Sequence, residues 1–324
     1  MNSGKIALLF PGQGTQYEGM GRDIYNKYPT ARNVYDTAEQ VLGLRLMFDS
    51  KRNLIRKILD GYQRKKLKRT DYAQLEIFVT NHAFYEVFRE MAPNLKYDAV
   101  AGHSLGEYNA LVAAGAICFE DALRLVHKRG LYMRDVSREV DGGLVALRVK
   151  NGEDLLALAR KFENRDVYLA LINSPNQIVV GGLKTALESV IKDFEIGKKV
   201  EVEGPFHTKY MGPAASQLKG DLDYIDFKLA SVPIVANSSA RFIVDPKDIE
   251  EELYLQLFNP VKWSNSIKNM TQQAFVRYIL VGADKNHIIR NMVQQTNPNA
   301  EVLMIKDAES LEKIAITPDK LKQV

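Results

Sequence analysis

Residues 97–114 read YDAVAGHSLGEYNALVAA, and this stretch decides the fold class. It opens with an apolar run typical of a buried strand, and residues 107–114 favour a helix. Between them lies Gly-x-Ser-x-Gly at 102–106, the pattern of a nucleophile elbow, whose glycines permit a cramped turn that exposes a serine hydroxyl. Ser104 is therefore a candidate nucleophile, and the amide of Leu105 would face an oxyanion formed beside it. The alternative is an ordinary strand–helix turn in which Ser104 only caps the helix.

A second strand-and-turn unit lies near the N-terminus. The apolar run 5–10 stops at the sequence PGQG, residues 11–14. Glycines at the carboxyl end of a strand let backbone amides approach a ligand, and α/β sheets bind their ligands at that edge. The glycine spacing is not Gly-x-Gly-x-x-Gly, which disfavours a dinucleotide-binding fold. The two units together predict an α/β fold.

The pattern of predicted elements changes from about residue 138. Four segments read as strands and two as helices: strands at 144–149, 167–172, 177–180 and 198–202, helices at 153–162 and 185–194. This βαββαβ order is the ferredoxin-like pattern. We therefore expect an α/β-hydrolase-like large domain over 1–137 and 205–324, with a ferredoxin-like small domain inserted over 138–204.

Composition excludes several classes of protein. The 324 residues are 46% hydrophobic and 26% charged, as in ordinary globular proteins, and the net charge of +4 is too small to indicate nucleic-acid binding. No apolar run approaches the ~18 residues of a membrane span. The single cysteine, Cys118, excludes an internal disulfide and a cysteine-built zinc site, and no cluster has metal-ligand spacing. The N-terminus does not read as a signal peptide, so a cytoplasmic location is expected.

A serine nucleophile needs a base, and the chain has five histidines. His207 is the candidate, because it follows the break at 204–206 and precedes a helix, where α/β sites gather polar groups. The other four fit core, turn or surface positions: His82, His103, His127 and His287.

Several segments in chain order resemble the malonyl-CoA:acyl carrier protein transacylases. They are FPGQGTQ at 10–16, TDYAQ at 70–74, GHSLGEY at 102–108, KRG at 128–130, NSP at 173–175, GPFH at 204–207 and NPVKW at 259–263. The resemblance runs from residue 6 to about 290 and is more specific than the elbow alone. It is nearest in character to free-standing acyltransferases that load polyketide synthases lacking a built-in one.

The resemblance implies a role for each residue of the site. Ser104 would take the malonyl group as an ester, and His207 would be the base that activates it. The amides of Gln13 and Leu105 would form the oxyanion hole. In this family a main-chain carbonyl orients the histidine instead of an aspartate, and Gln256 occupies that position.

Three more positions match the family's site. Asn237 lies at an active-site position, and Arg129 would bind the malonyl carboxylate with its guanidinium fork. Phe206, before the base, accompanies a preference for malonyl over methylmalonyl groups, since its ring would fill the space of an α-methyl. The alternative for Arg129 is an ordinary surface arginine on a helix.

The implied reaction is ping-pong transfer of malonyl from coenzyme A to the phosphopantetheine thiol of an acyl carrier protein, in fatty acid or polyketide biosynthesis. The resemblance implies a monomer without a metal or redox cofactor. One alternative is an acyl hydrolase of the same fold that clears stalled acyl groups from carriers, and another is a non-catalytic docking protein. Arg129 argues against the hydrolase, because uncharged acyl chains need no buried cation.

Residues 51–69 carry nine basic residues and one acidic residue. Such a run is usually a solvated face. Because carrier proteins are acidic, the same run could also steer a carrier toward the enzyme.

Overall fold

The computed structural model describes residues 4–43, 69–148, 155–163, 165–193, 197–200 and 202–316. Of the basic segment 51–69, only Arg69 falls within these residues. The possible role of that segment in steering a carrier therefore stays a prediction from sequence.

Six strands form the larger sheet. They are β1 (Lys5–Phe10), β2 (Ala99–Gly102), β7 (Ile234–Val235), β8 (Phe242–Ile243), β9 (Phe275–Val281) and β10 (Glu301–Ile305). Their order is β10-β9-β1-β2-β7-β8, and every pairing is parallel except that of β7 with β8. β1 and β2 lie at the centre, where Ala7–Phe10 and the whole of β2 are buried. Their carboxyl ends meet at one edge, as the sequence predicts.

Helices cover this sheet. They are α1 (Arg22–Lys27), α2 (Pro29–Leu42), α3 (Thr70–Met91), α4 (Gly106–Ala113), α5 (Phe119–Glu139), α8 (Gly212–Leu222), α9 (Pro246–Gln256), α10 (Trp263–Gln272), α11 (Ile288–Thr296) and α12 (Ala308–Ile316). The central helix α3 is buried along most of its length, including His82, whose ring stacks on Phe119 at 4.2 Å between centroids. The α/β fold class is confirmed.

The smaller sheet has its own apolar core. It consists of β3 (Gly142–Arg148), β4 (Val167–Ser174), β5 (Gln177–Leu183) and β6 (Gly197–Lys199), with helices α6 (Leu155–Glu163) and α7 (Lys184–Asp193). The strand order β4-β5-β3-β6, with every pairing antiparallel, is that of a ferredoxin-like unit. Its strands and helices lie within the predicted range 138–204, while the exact division at those residues stays a prediction.

Backbone hydrogen bonds join β4 of the smaller sheet to the segment between α9 and α10. Val261 donates to the carbonyl of Ala170 at 2.9 Å, and Ile172 donates to the carbonyl of Val261 at 2.8 Å. The amide of His207 donates to the carbonyl of Leu257 at 3.2 Å. This junction fixes the backbone of the histidine against the end of α9.

Among the described residues, no helix is both long enough and apolar enough to cross a bilayer.

Candidate active site

The turn between β2 and α4 places Ser104 at the carboxyl edge of the larger sheet. Ser104 has φ of 50°, in the left-handed region that non-glycine residues seldom adopt. A Cβ at Gly102 would lie 1.9 Å from the carbonyl carbon of Gly106, and one at Gly106 would lie 2.3 Å from the carbonyl oxygen of Phe10. Both positions therefore require glycine, and the close approach presses the turn against the end of β1. The sequence pattern of an elbow corresponds to this geometry.

His207 contacts the hydroxyl of Ser104. Its Nε2 lies 2.7 Å from the Oγ of Ser104, and its Nδ1 lies 2.7 Å from the carbonyl oxygen of Gln256. A carbonyl can only accept, so Nδ1 carries the proton and Nε2 is free to accept the serine hydrogen. Burial, with a further contribution from Arg129, lowers the pKa of His207 to about 3, which keeps the ring neutral at physiological pH. His207 is thus poised as a base without a carboxylate partner.

Arg129 projects from α5 to the same serine. Its Nη2 lies 3.3 Å from the Oγ of Ser104, and its side chain is only 1% exposed. Nη1 donates to Oε1 of Gln74 at 2.5 Å, and Nη2 donates to Oε1 of Gln256 at 3.0 Å. Among the described residues it forms no ion pair with a carboxylate, and its Nε has no hydrogen-bond partner. The surface-arginine alternative is wrong: this is a buried cation with amide neighbours.

Burial lowers the pKa of Arg129, but an arginine stays protonated in proteins. A buried positive charge is costly unless it is compensated. The guanidinium carbon lies 5.7 Å from the ring centre of Tyr108, whose face supplies part of that compensation. The arrangement therefore favours an anionic group of a substrate beside the serine.

Asn237 holds the elbow by its side-chain amide. Its Oδ1 accepts from the amide of Ser104 at 2.7 Å, and its Nδ2 donates to the carbonyl of Gly102 at 2.7 Å. One asparagine thereby satisfies two backbone groups that the cramped turn cannot pair internally. The residue named from sequence as an active-site position is a clamp on the backbone of the nucleophile.

Gln256, at the end of α9, contacts three parts of the site. Besides the carbonyl that accepts from His207, its Oε1 accepts from Arg129 and its Nε2 donates to the carbonyl of Ser104 at 3.0 Å. Nε2 also donates to Oε2 of Glu107. The sequence assigns Gln256 only an orienting carbonyl, whereas its side chain is equally engaged.

The two candidate oxyanion-hole residues lie on the loops after β1 and β2. Within the described part of the chain, the backbone amides of Gln13 and Leu105 donate no hydrogen bond to protein groups. The side chain of Gln13 is held in place, because its Oε1 accepts from the hydroxyl of Thr70 at 3.1 Å. Gln74 donates to that same hydroxyl at 2.9 Å, so one buried chain of hydrogen bonds links the Gln13 loop to Arg129.

Phe206, the residue directly before the base in the chain, is 4% exposed and belongs to the large apolar core.

His103 points away from the serine, since its Nε2 lies 3.1 Å from Oδ1 of Asn173 and its ring meets Trp263 edge-on at 5.4 Å. Two of the motif segments, at 173–175 and 259–263, therefore support the elbow from behind.

The sequence reasoning missed Gln74 and Glu107 as site residues. Both fall inside quoted motifs, at 70–74 and 102–108, and the residue after the second elbow glycine was the available signal for Glu107. Both are buried polar side chains, a class that requires hydrogen-bond partners.

No group of three or more His, Cys, Asp or Glu side chains suited to a metal ion occurs among the residues that the structure describes.

The chain is similar to known proteins over most of its length. Residues 7–304 match the acyl transferase domain family. The chain is 36% identical over 315 residues to the malonyl CoA-acyl carrier protein transacylase of Bacillus subtilis (strain 168), covering 95% of each. It is 30% identical to the polyketide biosynthesis malonyl CoA-acyl carrier protein transacylase PksC of the same organism, covering 92% of this chain and 99% of the relative.

A solved structure of a type II PKS acyl-carrier protein in complex with its malonyl-transacylase superposes on this chain with a TM-score of 0.87 at 27% identity. The match covers 97% of this chain and 100% of that one. The family match over residues 7–304 and the 36% identity over 95% of the chain show that the chain belongs to the acyl transferase domain family and, within it, to the malonyl CoA-acyl carrier protein transacylases.

Proposed function

We propose that this protein transfers a malonyl group from malonyl-CoA to the phosphopantetheine thiol of an acyl carrier protein, with Ser104 as the covalent carrier. One observation carries the proposal: a serine paired with a neutral histidine also lies 3.3 Å from a buried arginine that has no carboxylate partner among the described residues. The pair supplies acyl transfer, and the arginine selects an acyl group that ends in a carboxylate.

In the first half-reaction, Ser104 gives its proton to Nε2 of His207 as Oγ attacks the thioester carbonyl. The amides of Gln13 and Leu105 stabilise the oxyanion, and each such donor is typically worth ~10²–10³ in rate. The intermediate collapses with loss of the coenzyme A thiolate, which takes the proton from His207. Malonyl-Ser104 remains, with its carboxylate on Arg129.

The second half-reaction runs the same steps with a different thiol. The phosphopantetheine thiol gives its proton to His207 and attacks the ester carbonyl. Oγ of Ser104 then leaves and takes that proton back, which regenerates the free enzyme. His207 returns to its neutral form after each half-reaction, so one residue serves as base and acid in turn.

Selectivity is part of the proposal. Phe206 directly precedes the base in the chain, and its buried ring would occupy the space that the α-methyl of a methylmalonyl group needs. Arg129 argues against the acyl hydrolase alternative, since a site for uncharged acyl chains gains nothing from a buried cation.

We further propose that the carriers it serves belong to a polyketide synthase and that it acts on them in trans. The 30% identity to the PksC transacylase over nearly its full length supports this narrower role. It is tested by comparing kcat/KM for malonyl transfer to a polyketide carrier and to a fatty-acid carrier. Equal values, or a preference for the fatty-acid carrier, would place the enzyme in fatty acid synthesis.

The proposal also covers the state of the protein. Every side chain of the site comes from this one chain, so a monomer suffices for the reaction. We propose the cytoplasm as its compartment, where the exposed free thiol of Cys118 stays reduced.

The decisive experiment is intact-mass spectrometry after incubation with malonyl-CoA. The wild-type protein should gain one malonyl group, and Ser104→Ala should gain none while keeping its circular dichroism spectrum. A malonyl adduct on Ser104→Ala would move the nucleophile elsewhere and overturn the assignment.

A further inference from the structure

Glu107 is a fully buried carboxyl group that the proposed reaction does not use. It lies in the first turn of α4, three residues after the nucleophile, and is 0% exposed. Its Oε1 accepts from the main-chain amide of Asn237 at 3.0 Å, and its Oε2 accepts from the side-chain Nε2 of Gln256. A buried carboxylate is retained only where its hydrogen bonds and nearby charges offset the loss of water.

The partners of Gln256 decide the protonation of Glu107. Oε1 of Gln256 faces Arg129, which can only donate, and Nε2 faces the carbonyl of Ser104, which can only accept. The amide cannot be turned round, so the second hydrogen of Nε2 points at Glu107. Both carboxyl oxygens of Glu107 therefore face donors, and a proton on either of them would have no acceptor among the described contacts.

Burial, and after it a second buried carboxyl group, Glu252 on α9, raise the pKa of Glu107 above its ordinary range. The hydrogen bonds from Gln256 and Asn237 act in the opposite direction and favour the charged form. The surroundings of Glu252 differ from those of Glu107 in one respect. Oε2 of Glu252 lies 2.5 Å from the hydroxyl of Ser238, and a hydroxyl can accept as well as donate. The pair can thus keep one proton on Glu252 and one negative charge on Glu107.

That negative charge is connected to each working part of the site. Through Asn237 it fixes the residue that clamps the backbone of Ser104. Through Gln256 it fixes the carbonyl that orients His207 and the oxygen that binds Arg129. Arg129 lacks an ion pair in the described structure, but the charge of Glu107 favours its protonated form, and Gln256 is hydrogen-bonded to both residues.

We propose that Glu107 is a positioning residue, held as a buried carboxylate that keeps the Gln256 amide in the one orientation that presents Arg129 to the malonyl carboxylate. The inference rests on the proposed function. It assigns a role to the charge of Glu107, a residue of the motif at 102–108 that the sequence analysis left without one. Glu107 stabilises the arginine through Gln256 without contacting it, so the guanidinium fork stays open to substrate.

Glu107→Gln is the direct test, because it keeps the shape of the side chain and removes the charge. The new amide must set an N–H against the main-chain amide of Asn237 or against Nε2 of Gln256, so one of the two hydrogen bonds is lost. In both orientations the negative charge that holds the Gln256 amide is gone. Since a hydrogen bond to a charged group is worth ~1.5–3 kcal/mol, the ratio of malonyl-CoA to acetyl-CoA loading (kcat/KM) should fall about 10-fold or more.

Glu252→Gln is the matched control. It also replaces a buried glutamate of the same cluster, but an amide there reproduces the protonated carboxyl that the geometry assigns, with its NH₂ donating to Ser238. The loading ratio of this variant should stay within about three-fold of wild type. A structural role for buried carboxyls in general would damage both variants and would lower malonyl and acetyl loading alike.

Equal losses in the two variants, or a loss in Glu107→Gln that is the same for both acyl groups, would overturn the inference. If Glu107→Gln does not fold, Glu107→Asp keeps the charge and should retain the malonyl preference even with reduced total activity; loss of that preference would equally overturn it. Wild-type protein in the same assay separates failure of the positioning role of Glu107 from failure of the proposed malonyl transfer. If it takes up no malonyl group, the proposed function itself fails.

Discussion

Under the proposed function, Arg129 is the residue that selects the acyl group. Malonyl carries a carboxylate that must lose water on entering the cleft, and truncating one partner of a buried ion pair costs ~2–5 kcal/mol. Arg129→Ala should therefore reduce malonyl-CoA loading by about 30-fold to several thousand-fold. Acetyl-CoA has no carboxylate to lose its partner, so its loading should stay constant or rise. Stopped-flow or quench-flow measurement of acyl-enzyme formation gives both rates.

Arg129→Lys separates charge from geometry in that experiment. Lysine keeps the positive charge but loses the fork that contacts Gln74 and Gln256, so its malonyl loading should lie between wild type and Arg129→Ala. An equal fall for malonyl and acetyl groups in Arg129→Ala would make the arginine a structural residue, and malonyl selection would need another origin.

Which residues could be named from sequence depends on how far away their partners lie in the chain. Ser104 is marked by its own flanking glycines, and His207 by the break before it. The buried side chain of Glu107 has its hydrogen-bond partner, Gln256, 149 residues away in the chain. Gln74 has its partner, Arg129, 55 residues away. Local pattern contains no information on such pairings, so these side chains read as ordinary members of a motif until the fold brings their partners together.

Helix α3 shows what the scale of the element adds. Apolar periodicity predicts a helix from residue 73, whereas the helix begins at Thr70, whose amide is bound by the carboxylate of Glu203 at 2.7 Å. The extra turn is polar and carries no hydrophobic signal.

Strand β7 is shorter than the sequence predicts, whereas helix α3 is longer. An apolar run at 232–236 predicts a strand of five residues, but only two of them pair with the neighbouring strands β2 and β8. Element type follows from side-chain pattern, while length follows from the partner.

The buried His82 in α3 should make the free energy of unfolding depend on pH. Burial, with a smaller effect of Arg89, lowers the pKa of His82 to about 3, against ~6.5 in the unfolded chain. Glu86 lies 3.8 Å from its Nε2, but the desolvation of the ring is the larger effect. Between pH 6.5 and 3 the unfolded chain therefore binds one proton more than the folded protein. This group lowers the free energy of unfolding by ~1.4 kcal/mol for each pH unit of acidification in that window.

His82→Phe isolates this contribution, because every other group titrates in both proteins. Relative to wild type, the variant should gain about 2 kcal/mol of unfolding free energy between pH 7 and pH 5, measured by urea denaturation. Above pH 7 the difference between the two proteins should be flat. A difference that stays constant down to pH 5 would mean that His82 becomes charged in the folded protein beside Glu86.

Charge is unevenly distributed over the whole molecule. The segment 51–69 holds nine basic residues and one acidic residue in a chain whose net charge is only +4, so the remainder of the chain is net acidic. We expect an acidic carrier protein to be attracted by the first part and repelled by the second. Such asymmetry acts on encounter rate and orientation more than on the chemistry of the bound complex.

Neutralising Arg64, Lys65, Lys66 and Lys68 to glutamine should therefore slow malonyl transfer to the carrier by about ten-fold at low ionic strength, through the association rate. The Debye length falls from ~30 Å at 0.01 M salt to ~3 Å at 1 M, so the defect should shrink as salt is added. Pantetheine serves as the control acceptor: it presents the same thiol without the acidic protein, and transfer to it should be unchanged in the variant. An equal loss with both acceptors would place the effect in the active site. A loss that salt does not diminish would mean that the segment contacts the carrier at short range, since only long-range attraction is screened over these distances.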